Sequence, residues 1–154
     1  MSRIIFQKSY IIVLPSFAST AAHRHPFLHL FCGAGGCRIS AADGPMEGSC
    51  ILTGPHVQHA VPPGSGIGFF LLIDPTSCLA ERIRSRYMQE LTSASIPCAE
   101  LPPAEVLNTL PDKQIIQNAE AVLAQLGLSS EPGSMTDERV SQVVETSSPG
   151  NGWR

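Results

Sequence analysis

Short apolar segments separated by glycine and proline characterise the first half of the chain. They are rich in β-branched and aromatic residues and cover residues 4–7, 10–14, 27–32, 36–40, 49–53, 57–61 and 66–74. Turn residues lie between them, as at residues 33–36 and 62–64. Regular short strands with such turns predict a closed barrel or a sandwich. The last segment is apolar at successive positions, so we expect both faces of that strand to be covered.

The pattern changes from strand to helix after Asp74. Asp74 is a suitable N-cap and Pro75 a suitable first residue, so we predict that a helix begins there. A loop is expected around residues 97–103. A second helix is predicted from Asp112, because apolar residues recur at helical spacing as far as Leu126, and Gly127 is a typical stop. Serine, proline and glycine at residues 129–135 predict a linker.

Composition narrows the class of protein. The 154 residues are 43% hydrophobic and 15% charged, which is typical of a globular chain. The net charge of −3 gives no basis for binding nucleic acid by charge alone. No segment approaches the roughly 18 apolar residues of a membrane span. Residues 10–14 follow Arg3 and Lys8 as in a signal peptide, but Pro15 ends the short run, so two strands and a cytoplasmic protein are the preferred interpretation.

Five cysteines occur at spacings that match no zinc-finger pattern. We expect them to be small buried residues in a reducing compartment. A smaller alternative is redox chemistry between Cys32 and Cys37, which bracket the glycine-rich segment and could face each other across a hairpin.

All five histidines lie between residues 23 and 59, which is unusual for scattered surface residues. Residues two apart in a strand share a face, so His23, His25 and His29 can point to one side, and His59 can meet them from another strand. Arg24 and Gln58 are expected outside. The four histidines are the predicted ligand-binding residues, either for an organic effector or for one divalent transition metal, with zinc, nickel, iron and manganese as the candidate metals. A metal-free pocket for an organic ligand and a purely structural core remain open alternatives.

The histidine spacing resembles the two cupin motifs. In the first motif, His23 and His25 are in place, Gly36 is at the right distance, and His29 occupies the position of the usual glutamate. In the second, Gly48 and His59 are in place, while Gly54 replaces proline and His56 replaces glycine. The resemblance implies a double-stranded β-helix, or jelly-roll, barrel. It also implies a neutral four-histidine set that lacks the anionic ligand of many cupin enzymes.

The wider chain resembles the effector-binding half of AraC-type transcription regulators. The stretch from His23 to Gly33, the strand that ends in Asp74-Pro75, and residues 135–140 and 151–154 carry this resemblance. It implies a barrel at residues 1–75, a helical dimerisation or packing segment at 76–128, the linker at 129–135, and the truncated start of a helix-turn-helix domain at 136–154. The fold class is therefore mainly β with two to three C-terminal helices.

The function implied is sensing of a small-molecule effector by a homodimer that pairs through the helix at 112–126, with packing inside one chain as the alternative for that helix. No DNA binding by residues 1–154 alone and no membrane partner are expected. The competing class is a stand-alone metal-binding cupin protein or a cupin oxygenase or isomerase that uses the same histidines. No general base stands out, so we predict no catalytic residue and no enzyme activity.

Overall fold

The computed structural model describes residues 2–16, 20–42, 44–89, 92–98 and 101–128. These residues form seven β-strands and three α-helices. In chain order they are β1 (Arg3–Phe6), β2 (Tyr10–Leu14), β3 (Leu28–Ala41), β4 (Gly44–Thr53), β5 (His59–Ala60), β6 (Phe69–Ile73), α1 (Cys78–Tyr87), β7 (Ser93–Ile96), α2 (Ala104–Leu107) and α3 (Asp112–Gln125).

The strands form one open antiparallel sheet in the order β1-β2-β6-β3-β4-β7, and β5 pairs with β3 off this path. Within the described residues, the end strands β1 and β7 do not pair with each other. The mainly β class is confirmed. The closed jelly-roll barrel that the cupin resemblance implies is not confirmed, because alternating strand patterns specify strands but leave open whether the sheet closes.

Strand β3 bends sharply in its middle. Its first half pairs with β6, and its end pairs with β5, where Ala41 lies opposite His59. A straight strand would separate Phe31 from Ala41 by roughly 33 Å at about 3.3 Å per residue. Yet the ring of His59 lies 5.7 Å from the ring of Phe31. The bend therefore folds the far half of the β3–β4 hairpin, which contains Ala41 and the connection to β4, back over the near half, which contains Phe31.

The bend is produced by the glycines that the sequence analysis predicted as a turn between two strands. They lie instead within β3, where the register with β4 shifts between Cys32 and Cys37. Gly36 has a φ of 105°, which a side chain would disfavour. A Cβ atom on Gly33 would lie only 2.2 Å from the carbonyl oxygen of Gly66. Glycine is thus required here for a bulge rather than for a hairpin turn.

The period-two alternation of β3 and β6 divides their side chains between two cores. Leu28, Leu30 and Leu71 face the larger core, which also includes the helices. Phe31 faces a smaller core enclosed by the bent hairpin, and Phe70 packs against it. The prediction that residues 66–74 are covered on both faces is confirmed for one face of β6, where Phe69, Leu71 and Ile73 are buried. It is confirmed only in part for the other face, where Phe70 and Leu72 are half-buried.

Two local predictions in the second half are wrong. The N-cap of α1 is Ser77, whose hydroxyl accepts from the amide of Ala80, whereas Asp74 accepts from Thr76 in the preceding turn. The stretch predicted as two helices joined by a loop around residues 97–103 also contains a strand, β7, which pairs with β4 from Cys50 to Thr53. Its sequence, Ser-Ala-Ser-Ile, is too short and too polar to display a strand pattern.

Helix α3 agrees with the prediction at both ends. It begins at Asp112, and the amides of Gly127 and Leu128 return to the carbonyls of Ala124 and Leu123, which is a Schellman ending. Its apolar stripe packs inside the chain's own larger core; the buried residues are Ile115, Ala119, Val122 and Leu123. The apolar stripe of α3 is therefore buried by packing within one chain. Dimerisation through residues 112–126 stays a prediction.

None of the helices in the described part of the chain is both long and apolar enough to cross a membrane. The predicted linker at 129–135 and the predicted helix-turn-helix segment at 136–154 lie outside the described residues.

Candidate metal centre

The site is built where the segment before β3 meets β5. His23 and His59 form an isolated antiparallel bridge, in which each backbone amide donates to the carbonyl of the other at 2.9 Å. The amide of His56 donates to the carbonyl of His25 at 2.6 Å. These backbone bonds hold the two histidine-containing segments side by side, although more than thirty residues separate them in the sequence.

All four predicted histidines come together. The ring centroids of His23 and His59 are 4.5 Å apart, and those of His23 and His25 are 4.6 Å apart. His29 lies beneath them, 4.6 Å from His59 and 5.2 Å from His25. His23, His25 and His59 each offer one ligand atom, and these atoms all lie within 4.8 Å of one another. The fourth predicted ligand, His29, is adjacent to this group but does not belong to it.

Two of the rings have a defined orientation. The Nδ1 atom of His23 lies 2.7 Å from the carbonyl oxygen of Ala21, and that of His59 lies 3.0 Å from the carbonyl oxygen of Val57. A carbonyl only accepts, so in the neutral rings Nδ1 carries the proton and Nε2 keeps its lone pair. Metal-bound histidines usually make this kind of outer hydrogen bond, which fixes the ring before the ion arrives.

His29 is the buried member of the cluster, with a side chain only 2% exposed. Burial, followed by the neighbouring His59, His25 and His23, lowers its pKa to about 3, although the Phe27 carbonyl opposes the shift. Nevertheless, its Nδ1 atom makes no hydrogen bond of ordinary geometry within the described residues. The buried hydroxyl of Thr53 likewise has no hydrogen-bond partner there. The two residues lie directly opposite each other on β3 and β4, so two unsatisfied polar groups share one face.

Burial also favours the neutral form of two further rings. It lowers the pKa of His59, against an opposing hydrogen bond to the Val57 carbonyl, and it lowers the pKa of His25; the proximity of His23 adds to the lowering in both. A neutral imidazole is the form that binds a metal. His23 and His25 are partly exposed, so an ion can enter from solvent.

Residues outside the cluster lie where the sequence pattern predicts. Arg24 and Gln58 are exposed, as is His56, the fifth histidine. His56 has a φ of 63°, a conformation that favours glycine, and it occupies the position where the second cupin motif has glycine. Sequence reasoning missed Thr53, because only the register of β4 against β3 places it beside His29.

Two cavities of about 530 Å³ each lie elsewhere in the described structure. One follows the bend of β3 and is lined mainly by glycines, together with Arg38 and Glu47. The other lies between α1 and the end of α3, around Arg82 and Gly127. None of the four clustered histidines lines either cavity.

No protein-family model, curated protein or solved structure matches this chain. The resemblance to cupins and AraC-type regulators thus rests on the motifs quoted above.

Proposed function

We propose that this chain binds one divalent transition-metal ion through His23, His25 and His59. The observation that carries the proposal is the convergence of three ligand atoms within 4.8 Å of one another. The Nδ1–carbonyl bonds of His23 and His59 support it, because they leave the Nε2 lone pairs free. His29, whose ring centroid lies 4.6 Å from that of His59 and whose Nδ1 makes no hydrogen bond of ordinary geometry within the described residues, is the candidate for a fourth ligand.

The donor set selects among the candidate metals. Imidazole nitrogens suit zinc, nickel, copper and iron, whereas manganese, magnesium and calcium prefer carboxylate and carbonyl oxygens. Among the described residues, the group of converging ligand atoms contains no carboxylate. We therefore expect zinc, nickel and ferrous iron to bind well and manganese to bind weakly.

The role that fits this site best is sensing, with the metal ion as the effector. The AraC-type resemblance supports a sensor. The ion would join the segment before β3 to β5, two segments that are far apart in sequence. Binding would thus favour one arrangement of the bent hairpin, which is the differential affinity that a two-state sensor needs.

Catalysis is the second candidate, and the partial exposure of His23 and His25 favours it. A three-histidine site on an accessible surface leaves coordination positions open for water or substrate. Oxygen consumption by the iron-loaded protein, in the presence of small phenols and 2-oxoacids, separates the two roles. Turnover above that of free iron would replace the sensor by an oxygenase.

Titration calorimetry with zinc tests the metal site directly. Wild-type protein, stripped of metal, is expected to bind one zinc ion. The His25→Ala variant should bind at least about 100-fold more weakly, because losing a direct ligand costs more than the 10–100-fold typical of an outer partner. His56→Gly is the matched control: it removes an exposed histidine outside the cluster and suits the local φ. Equal zinc binding by His25→Ala and wild type would refute the site.

A further inference from the structure

Three cysteines lie next to one another on the sheet face opposite to His29, two of them in the neighbouring strands β3 and β4. Cys32 on β3 lies directly opposite Cys50 on β4, with their Sγ atoms 3.8 Å apart. Cys98 lies two residues beyond Ile96, which pairs with Cys50, and its thiol is hydrogen-bonded to that of Cys50. All three pack in or against the larger core. The thiols thus form a continuous row from β3 across β4 to the segment that follows β7.

The row leads from the surface into the core. Cys32 and Cys50 are fully buried, whereas Cys98 is only partly buried. The Sγ atom of Cys98 also lies 3.4 Å from the side-chain oxygen of Gln125 at the end of α3. Cys98 is therefore the member that a small solute can reach, and Cys50 is the only one in contact with both others.

The geometry of the buried pair suits a disulfide. Their Sγ atoms are 3.8 Å apart, so rotation about χ1 with a small shift of the paired strands, closing about 1.8 Å, would form an S–S bond of about 2.0 Å. Cys37, which the sequence analysis considered as the partner of Cys32, lies opposite Gly48 and has no thiol across from it. Cys78 is exposed on α1, away from the row.

We propose that Cys32, Cys50 and Cys98 form a peroxide-oxidised site in which Cys98 reacts first and a Cys32–Cys50 disulfide is the product. In the first step the sulfur of Cys98 attacks hydrogen peroxide, and the O–O bond breaks. A sulfenic acid forms on Cys98, and the leaving hydroxide takes up the thiol proton as water. The sulfur of Cys50 then attacks that of Cys98, which forms an S–S bond and releases the second water.

In the last step the sulfur of Cys32 attacks that of Cys50. The Cys50–Cys98 bond breaks, and Cys98 recovers a thiol with the proton that Cys32 gives up. Overall, two thiols lose two electrons and two protons, and one peroxide becomes two waters. This chemistry is independent of the metal site, because the histidines lie on the other face of the sheet.

The environment of Cys98 sets the pH dependence of the reaction. Burial, with an added contribution from Cys50, raises the pKa of Cys98 to about 12. Only the thiolate is nucleophilic, so oxidation should be slow at neutral pH and should accelerate about tenfold per pH unit up to at least pH 10. An ordinary exposed thiol levels off near pH 9.

The test treats the full chain with hydrogen peroxide in EDTA, followed by alkylation of the remaining thiols under denaturing conditions and peptide mapping. We expect a Cys32–Cys50 disulfide to be found, whether or not the exposed Cys78 is oxidised as well. Cys98→Ser should slow its formation by about tenfold or more, since the accessible thiol is gone. Cys32→Ser should trap the Cys50–Cys98 disulfide, and the Cys78→Ser control should leave the rate unchanged.

Two results would overturn the proposal. One is retention of free Cys32 and Cys50 while Cys78 is oxidised. The other is formation of the disulfide at the wild-type rate in Cys98→Ser. Because Cys98 is partly exposed, this variant should fold even where the buried Cys32→Ser does not.

Discussion

Successive side chains of the central strands β3 and β6 point to opposite faces of the sheet, and these two faces differ in chemical character. Leu28 and Leu30 face the larger core, where helices cover the sheet with apolar side chains. His29 faces the other way, into the smaller core, where it and Thr53 leave buried polar atoms unsatisfied. Unsatisfied groups destabilise a fold, so they are retained where they serve another purpose. One face of the central strands therefore stabilises the protein, and the other carries the proposed metal site.

The largest expected effect comes from breaking the helix-covered face. Leu30→Ala should lower the free energy of unfolding by about 2–5 kcal/mol, because Leu30 is fully buried and its removal leaves a cavity. Urea unfolding measures the loss. Zinc affinity of the folded protein should remain close to that of wild type, and a parallel loss of affinity would contradict the separation of the two faces.

Zinc should stabilise the protein through the histidine face alone. At a free zinc concentration 100 times the dissociation constant, the free energy of unfolding is expected to rise by about 2.7 kcal/mol. Urea unfolding with and without zinc measures this gain. His25→Ala should lose the gain yet keep the metal-free stability of wild type, since His25 is partly exposed.

Lowering the pH should reduce the free energy of unfolding of the metal-free protein, because His29 is protonated more readily in the unfolded chain. Its folded pKa of about 3 is far below the ordinary value of 6.5, so the unfolded chain binds the proton first. The neutral His29 ring therefore makes its full contribution to the free energy of unfolding above pH 6.5. This contribution is lost as the pH falls towards 3, by up to about 1.4 kcal/mol per pH unit. Chemical unfolding in EDTA between pH 7 and 5 measures the slope.

The matched variant for this slope is His29→Phe, which keeps a ring next to Phe31 and removes the titrating group. Its stability should depend less on pH than that of wild type. An unchanged slope would show that another group is responsible for the acid sensitivity.

The smallest effect concerns Thr53. Thr53→Val replaces a buried hydroxyl that has no partner among the described residues by a methyl group of similar size, so the metal-free protein should become about 1 kcal/mol more stable. Thr53→Ser keeps the hydroxyl and should not be stabilised. Thermal unfolding of the two variants measures this difference in stability. A destabilised valine variant would mean that the hydroxyl has a partner such as an ordered water.

Sequence reasoning predicted what depends on local pattern. Strand β2 and helix α3 match their predicted ranges, and the four clustered histidines meet as their spacing suggested. Features that depend on distant partners were missed. The glycines at residues 33–36 lie inside a strand because Gly66 lies against them, and β7 exists because β4 offers it an edge. The predicted proximity of Cys32 to Cys37 rested on a hairpin that the bulge replaces with one long strand, which puts Cys50 opposite Cys32.

The close contact between Gly33 and Gly66 also bears on how this protein can change over time. Any side chain at position 33 would collide with the Gly66 carbonyl and push the far half of the hairpin outward. His59 would then move away from His29, although neither histidine had been altered. Variation at the ligands themselves is therefore only one route to a lost site. A single glycine that is not itself a proposed ligand therefore limits which mutations the histidine face tolerates.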